Sequence, residues 1–159
     1  MGMRIRQGTV KDWPFMYELA KEVIPTNISP WRQHSMEETM RYRLKMLKNF
    51  WAWINQSGSL VFIAETEEGK PVGFLVLYPN AVEELTGLKQ GWVMDIAVLK
   101  EYRGQGVGRI LMGAAENYCR QRGLEYLGLA VSTHNTQALK LYESLGFIEE
   151  RKLMVKVLK

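Results

Sequence analysis

One stretch limits what this chain can fold into: WVMDIAVLKEYRGQGVGRILMGAAENYCRQR, from Trp92 to Arg122. Trp92 to Leu99 is dense in Val, Ile and aromatic residues, which predicts a buried strand. Lys100 to Arg103 break that run. Gly104, Gln105, Gly106, Val107 and Gly108 then open a helix whose apolar residues, Val107, Ile110, Leu111, Ala114, Ala115 and Tyr118, share one face. Glycines at a strand-to-helix junction let the backbone bend sharply and approach a ligand with no Cβ in the way. The first helical amides have no internal acceptor, and the helix dipole adds partial positive charge there. A phosphate suits such a place, and Arg103 and Arg109 bracket the turn with two further positive charges. The element reads as a phosphate cradle.

Three kinds of phosphate site can be separated by spacing. A Walker loop requires Gly, four residues, Gly, Lys and then Ser or Thr, and the chain has no such run. A dinucleotide fingerprint needs a third glycine where Arg109 stands, and it belongs to the first βα unit of a domain. The remaining pattern is Arg, two residues, Gly, one residue, Gly, which Arg103, Gly106 and Gly108 satisfy. With its YRG lead-in and a strand ending in Ala-Val, it resembles the pyrophosphate-binding motif of the GCN5-related N-acetyltransferases, which hold acetyl-CoA. A second signature, NTQALKLYESLGF from Asn135 to Phe147, resembles that family's other cofactor helix. Asn135 is a good N-cap, Ala138, Leu141, Tyr142 and Leu145 form a one-sided stripe, and Gly146 suits the C-terminal cap. The likeness runs from about Ser59 to Lys159, and the earlier residues follow only the order of elements.

The resemblance implies an α+β fold: a three-layer α/β/α sandwich around a mixed, mostly antiparallel sheet, splayed between its two central parallel strands. It implies one N-acetyltransferase domain over residues 1–159. It implies direct attack of a primary amine on acetyl-CoA in a ternary complex. The strand amides from Asp95 through Ile96, Ala97 and Val98 would anchor pantetheine and contact the developing oxyanion. The pyrophosphate would meet Arg103, Gly104, Gln105, Gly106, Val107, Gly108 and Arg109. Asn135 would contact the cofactor, and Tyr142 would protonate the departing thiolate. No metal is implied.

The base is less clear. Some family members carry a strand glutamate at positions matching Trp92 or Met94, and this chain has neither. Asp95 is the nearby acid, but alternation places it opposite Met94 unless a bulge intervenes. His34 and His134 have a suitable intrinsic pKa with nothing to tie them to an acceptor. A water relay is the other option. Cys119 lies eleven residues past Gly108, about 16 Å along a helix, too far to accept an acetyl group. The competing function is a CoA-binding or regulatory module that keeps the cradle without the chemistry. Ala130 and Ser132 stand where the ribosomal-protein branch usually has an acid and a basic residue. A small amine, polyamine or amino acid is therefore the expected acceptor, with a peptide as the other class.

A net charge of +4 suits a polyanionic cofactor and is too small and scattered to argue for nucleic acid. One cysteine excludes an intrachain disulfide and fits a reducing cytoplasm. No run is apolar enough to span a membrane, and the N-terminus is no signal peptide. Among the remaining elements, Met3 to Gln7 predicts an edge strand. A helix capped by Asp12 should follow and end at Pro25, and a second should run from Ser35 or Met36 to Trp53. The aromatic density here (Trp31, Tyr42, Phe50, Trp53) suits core and homodimer packing better than substrate contact. Leu60 to Thr66 and Pro71 to Tyr78 read as a hairpin, and Pro79 to Gly91 as a long connection holding Glu83 and Glu84. Leu124 to Ser132 reads as a strand interrupted by Gly128, and Phe147 to Leu158 as one or two closing strands.

Overall fold

A computed structural model describes residues 2–32 and 34–159. Its sheet has the order β1 (Met3–Gln7), β2 (Leu60–Thr66), β3 (Pro71–Val82), β4 (Lys89–Val98) and β5 (Leu127–Gly128). Neighbours are antiparallel from β1 to β4, while β4 and β5 run parallel. Helices α1 (Trp13–Val23), α2 (Met36–Leu47) and α3 (Phe50–Ser57) lie between β1 and β2 in sequence. Helix α4 (Val107–Gln121) is the crossover from β4 to β5, and α5 (Thr136–Ser144) follows. This is the expected α+β arrangement around a mixed, mostly antiparallel sheet, and the sheet is open.

Strand alternation divides the core into two layers. Leu75 and Leu77 of β3 pack with Val107, Leu111, Met112 and Ala115 of α4. Phe74 and Val76 face the other way, onto Met16, Leu19 and Ala20 of α1 and Ile54 of α3. Trp13 leans against Phe50 and Trp51, and Phe50 stacks on Trp53 with ring centres 5.8 Å apart. The aromatic cluster therefore packs, although Trp31 and Tyr42 remain exposed.

Several boundaries differ from the sequence expectation. The long second helix divides at Lys48 and Asn49, because α2 buries no residue while α3 must turn Ile54 onto the sheet. Asp12 does not cap α1. Its own backbone is already helical, and its carboxylate accepts the Thr9 amide at 2.8 Å and the Arg6 guanidinium at 2.7 and 2.9 Å. Pro25 lies inside a short 3-10 turn beyond Val23. The connection expected over Pro79 to Gly91 is mostly strand, since β3 and β4 extend to a turn in which the Glu83 carboxylate accepts the Leu85 and Thr86 amides. The strand expected over Leu124 to Ser132 pairs only at Leu127 and Gly128. No closing strand forms over Phe147 to Leu158, and residues 148–159 are exposed.

At the β1 edge, Glu65 is 6% exposed and bonds Arg4 at 2.7 Å and Arg6 at 2.8 Å. Arg6 thus bridges two buried carboxylates. It holds both Asp12 and Glu65 below the ordinary carboxylate range. Depressed folded pKa values mean stability that is present above the unfolded pKa and is lost as pH falls through the folded values. Arg6→Met should lower the melting temperature by several degrees at neutral pH. That deficit should shrink as pH falls below about 4, where the carboxylates freed in the variant protonate first and those Arg6 holds lower follow. Thermal melts of the two proteins across pH check this, and a deficit constant with pH would exclude the ionic origin.

Candidate active site at the parting of two parallel strands

Strands β4 and β5 pair only where Gly91 meets Leu127 and Trp92 meets Gly128. Gly128 is required there: a Cβ would lie 2.7 Å from the Trp92 ring. Gly91 is likewise required, since a Cβ would meet the Cys119 sulfur at 2.4 Å. Cys119 is buried behind the sheet, and burial pushes its thiol pKa up, so it serves packing. Beyond Trp92 the two strands part, and β4 runs on to Val98 with its far side unpaired.

Register fixes which β4 groups face that gap. The Leu99 amide donates to the Val72 carbonyl at 2.8 Å, and Ala97 stands opposite Phe74. Alternation then turns the Ala97 amide toward β3 and leaves the Ile96 and Val98 amides facing the gap. Ala97 instead contributes its side chain to the α1 and α3 core. The Val98 carbonyl, on the gap side, accepts the Arg103 Nε–H at 3.0 Å.

The register also shifts by one residue in β4. Val76 pairs with Asp95 and Leu77 with Val93, so Met94 is an inserted residue. The effect is visible in packing: Val93 joins the α4 core, whereas Ala97, four residues on, joins the α1 and α3 core. The bulge therefore brings Met94 and Asp95 to the same face, reversing the simple alternation. Burial pushes the Asp95 carboxyl up to about 6, against the Ile96 amide and the positive charge of Arg43, which hold it down. Tyr142 on α5 is half-buried, and both desolvation and the charge of Asp95 raise its hydroxyl pKa. Tyr142 thus senses the charge of Asp95 across the gap.

The glycine turn lies at the end of the same strand. Gly104 and Gly106 adopt φ of +75° and +85°, the left-handed region, and nothing lies within 4 Å of where their Cβ atoms would be. Gly106 caps α4, whose first backbone bond runs from the Ile110 amide to the Gly106 carbonyl at 3.1 Å. The preceding Val107, Gly108 and Arg109 amides are left at the open N-terminus of a helix of 15 residues. Gln105 is tied by its side chain to the Glu101 carbonyl at 3.1 Å. Gly108 admits α5, since a Cβ would lie 3.0 Å from Leu141. Arg109 bonds the Ser144 hydroxyl at 2.8 Å, and Asn135 caps α5 by accepting the Ala138 amide at 3.3 Å. The structure therefore gathers the turn, the Ile96 and Val98 amides, Asp95 and Tyr142 around one gap.

Neither histidine joins this group: His34 pairs with Glu38, and His134 bonds the Thr26 carbonyl at 2.8 Å. Arg43 was not singled out from sequence. No local motif marks it, because only the tertiary fold brings its charge near Asp95.

A model of the acetyltransferase (GNAT) family matches residues 13–147. An uncharacterised N-acetyltransferase of Bacillus subtilis is 36% identical over 93 residues, 58% of this chain and 60% of that protein. A mycothiol acetyltransferase of Saccharomonospora viridis is 35% identical over 98 residues, 60% of this chain and 31% of that protein. A streptothricin acetyltransferase of Streptomyces lavendulae is 36% identical over 90 residues, 56% of this chain and 44% of that protein. The aligned region spans between about a third and three-fifths of these relatives' own lengths. Among solved structures, an aminoglycoside N-acetyltransferase in complex with CoA superposes with a TM-score of 0.70 at 22% identity, over 99% of this chain and 96% of that one. At that identity the likeness is one of fold.

The Asp95 environment has a measurable consequence. A carboxyl whose folded pKa is raised costs stability as pH climbs from its unfolded value, about 4, toward 6. Asp95→Asn should therefore melt higher than the unaltered protein at pH 7 and equal to it below about pH 4. The same substitution should lower the Tyr142 pKa by removing a negative charge. Thermal melts and ultraviolet titration of the tyrosines read the two effects, and a destabilised Asn variant at pH 7 would contradict the assignment.

Proposed function

The chain belongs to the acetyltransferase (GNAT) family, and from that premise we propose that it acetylates the primary amine of a small molecule, using acetyl-CoA in a ternary complex. The single observation that carries this reading is the convergence of an anion-binding turn and an Asp95–Tyr142 pair on one sheet gap. The cofactor, acetyl-CoA, supplies an activated acyl thioester. The residues fit it: the open left-handed glycines and the α4 N-terminus suit a pyrophosphate. Arg103 and Arg109 flank that turn with their charges. The Ile96 and Val98 amides would receive the pantetheine arm and the carbonyl oxygen as charge develops on it. Asn135 and Gln105 would border the cofactor while keeping their structural bonds.

The proton transfers divide between the two faces of the sheet. Tyr142 lies on the α4 and α5 side, packed against that core. A raised pKa keeps its hydroxyl protonated and able to donate to the leaving sulfur. Asp95 faces the α1 and α3 side, where an acceptor would enter. With a pKa near 6 it is mostly ionised at neutral pH and able to take the proton that an attacking amine nitrogen sheds as its bond to the acetyl carbon forms. The bulge at Met94 supports this role, because without it the carboxylate would face the other core.

Relatives named for mycothiol and streptothricin support a small acceptor. A single domain over residues 1–159 and a cytoplasmic location complete the proposal. Among the described residues no helix is long and apolar enough to cross a membrane.

A panel of amines with acetyl-CoA, read by thiol release, tests the activity. CoA binding with no amine-dependent release would instead indicate a binding module. Gly106→Val should weaken acetyl-CoA binding about tenfold or more, equivalent to about 1.4 kcal/mol. Unchanged affinity by calorimetry would remove the cradle. Tyr142→Phe keeps the ring against Phe147 but removes the acid. With chemistry rate-limiting, turnover should fall by about 10²-fold or more. Acetyl-CoA affinity and melting temperature should barely change. Near-normal turnover would take Tyr142 out of the mechanism.

A further inference from the structure

Helix α2 turns one charged side chain toward the molecule rather than away from it. Met40, Leu44 and Leu47 recur at helical spacing and are half-buried, and Leu47 packs against the core shared by α1 and α3. Arg43 stands three residues past Met40 and four before Leu47, on that same inward face. It is nevertheless exposed, so open space lies before it. The two acids of α2 are engaged elsewhere, Glu37 with Arg41 at 3.4 Å and Glu38 with His34 at 2.7 Å. Among the described residues Arg43 has neither a hydrogen bond nor a salt bridge. Lys45, two residues along, falls on the opposite side of the helix.

The space before Arg43 borders the gap between the strands. Ser132 donates its hydroxyl to the Asn27 carbonyl at 2.9 Å, and His134 bonds the Thr26 carbonyl at 2.8 Å. Both residues follow β5, whereas α1 packs on β4 through Ala97. The connection from α1 toward α2 therefore spans from one strand of the gap to the other, on the face where Asp95 stands. Arg43 is close enough that its charge helps hold the Asp95 carboxyl down against burial. A carboxylate and an unpaired guanidinium thus share the side from which an acceptor would enter.

We propose that the acceptor carries an anionic group, a carboxylate or a phosphate, as well as its amine, and that Arg43 binds that group while the nitrogen stands beside Asp95. The proposal rests on the acetyltransferase reading above and narrows its substrate class. A guanidinium offers parallel N–H donors that match either anion. An amine bearing such a group meets each charge of the site with its opposite. A neutral amine gains nothing from Arg43, and a polyamine brings a second positive charge against it. The anion takes no part in the bond changes; it selects which amines dwell beside Asp95.

The experiment measures kcat and KM by thiol release with acceptors paired by charge. Amino acids are compared with their own carboxamides, phosphoethanolamine with ethanolamine, and spermidine serves as a polycation. In the unaltered protein, kcat/KM for the anionic member of at least one kind of pair should exceed that of its neutral partner by about tenfold or more, chiefly through KM. The carboxylate pairs and the phosphate pair identify which anion fits. Arg43→Gln should bring the ratio to about one, and Arg43→Glu should invert it. Removing the arginine also lets the Asp95 carboxyl rise, but that acts on both members of a pair alike, so the ratio isolates the contact. Any loss of folded protein cancels in the same way. No preference for the anionic amine in the unaltered protein, a preference for spermidine, or a ratio untouched by both substitutions would overturn the proposal and leave the acetyltransferase reading standing. Thiol release from no amine at all, with acetyl-CoA bound, would overturn that reading and this proposal with it.

Discussion

The site depends on one steric fact: Trp92 lies across the place where a side chain on Gly128 would stand. Parallel pairing of β4 and β5 stops at that contact, and the strands part beyond it. Backbone groups facing such a gap must find partners outside the sheet, because buried amides left alone are costly. The gap-facing amides of Ile96 and Val98 are therefore the fold's standing demand for a polar ligand. Helix α4 begins a few residues further on, so its open amides and the strand's open amides lie along one path. The sheet defect and the helix terminus are the two ends of the binding line we propose.

Parting the strands also places the two groups to which we assign the proton transfers. A gap between strands joins the two faces of a sheet that elsewhere keeps them separate. Tyr142 approaches from the α5 side and Asp95 from the α1 side, and the charge of Asp95 raises the Tyr142 pKa. The inserted Met94 decides this arrangement, since strand parity alone would turn Asp95 into the α4 core. A one-residue bulge thus does what a different residue type would otherwise have to do.

The glycine turn, the α5 signature, the hairpin of β2 and β3 and the interruption at Gly128 were legible because each is a local pattern with a local cause. The bulge was not. Sequence alternation named it only as a condition, and its presence follows from packing both Val93 and Ala97 into opposite cores. The break between α2 and α3 was hidden for a similar reason: the apolar stripe continues through Lys48 and Asn49, while the sheet surface it must cover does not. Arg43 had no signal at all. The closing strands were read from composition, and composition reports the capacity to pair, not the presence of a partner in the same chain.

A raised carboxyl and an opened sheet both lower stability, so the fold must recover it away from the site. The β1 edge is where that recovery is visible. Arg6 is bonded to both Asp12 and Glu65, and Glu65 also takes Arg4, with geometry that leaves neither buried carboxylate short of a donor. Between that edge and β4 lie the longest pairings of the sheet and two fully packed apolar layers. The sheet therefore runs from an ion-paired edge through a dense middle to a strand paired at two residues. A binding gap placed at the middle would break the ladder between β2 and β3 and with it both cores. Placed at the last pair, between β4 and β5, it removes only bonds the fold can spare and leaves both cores whole.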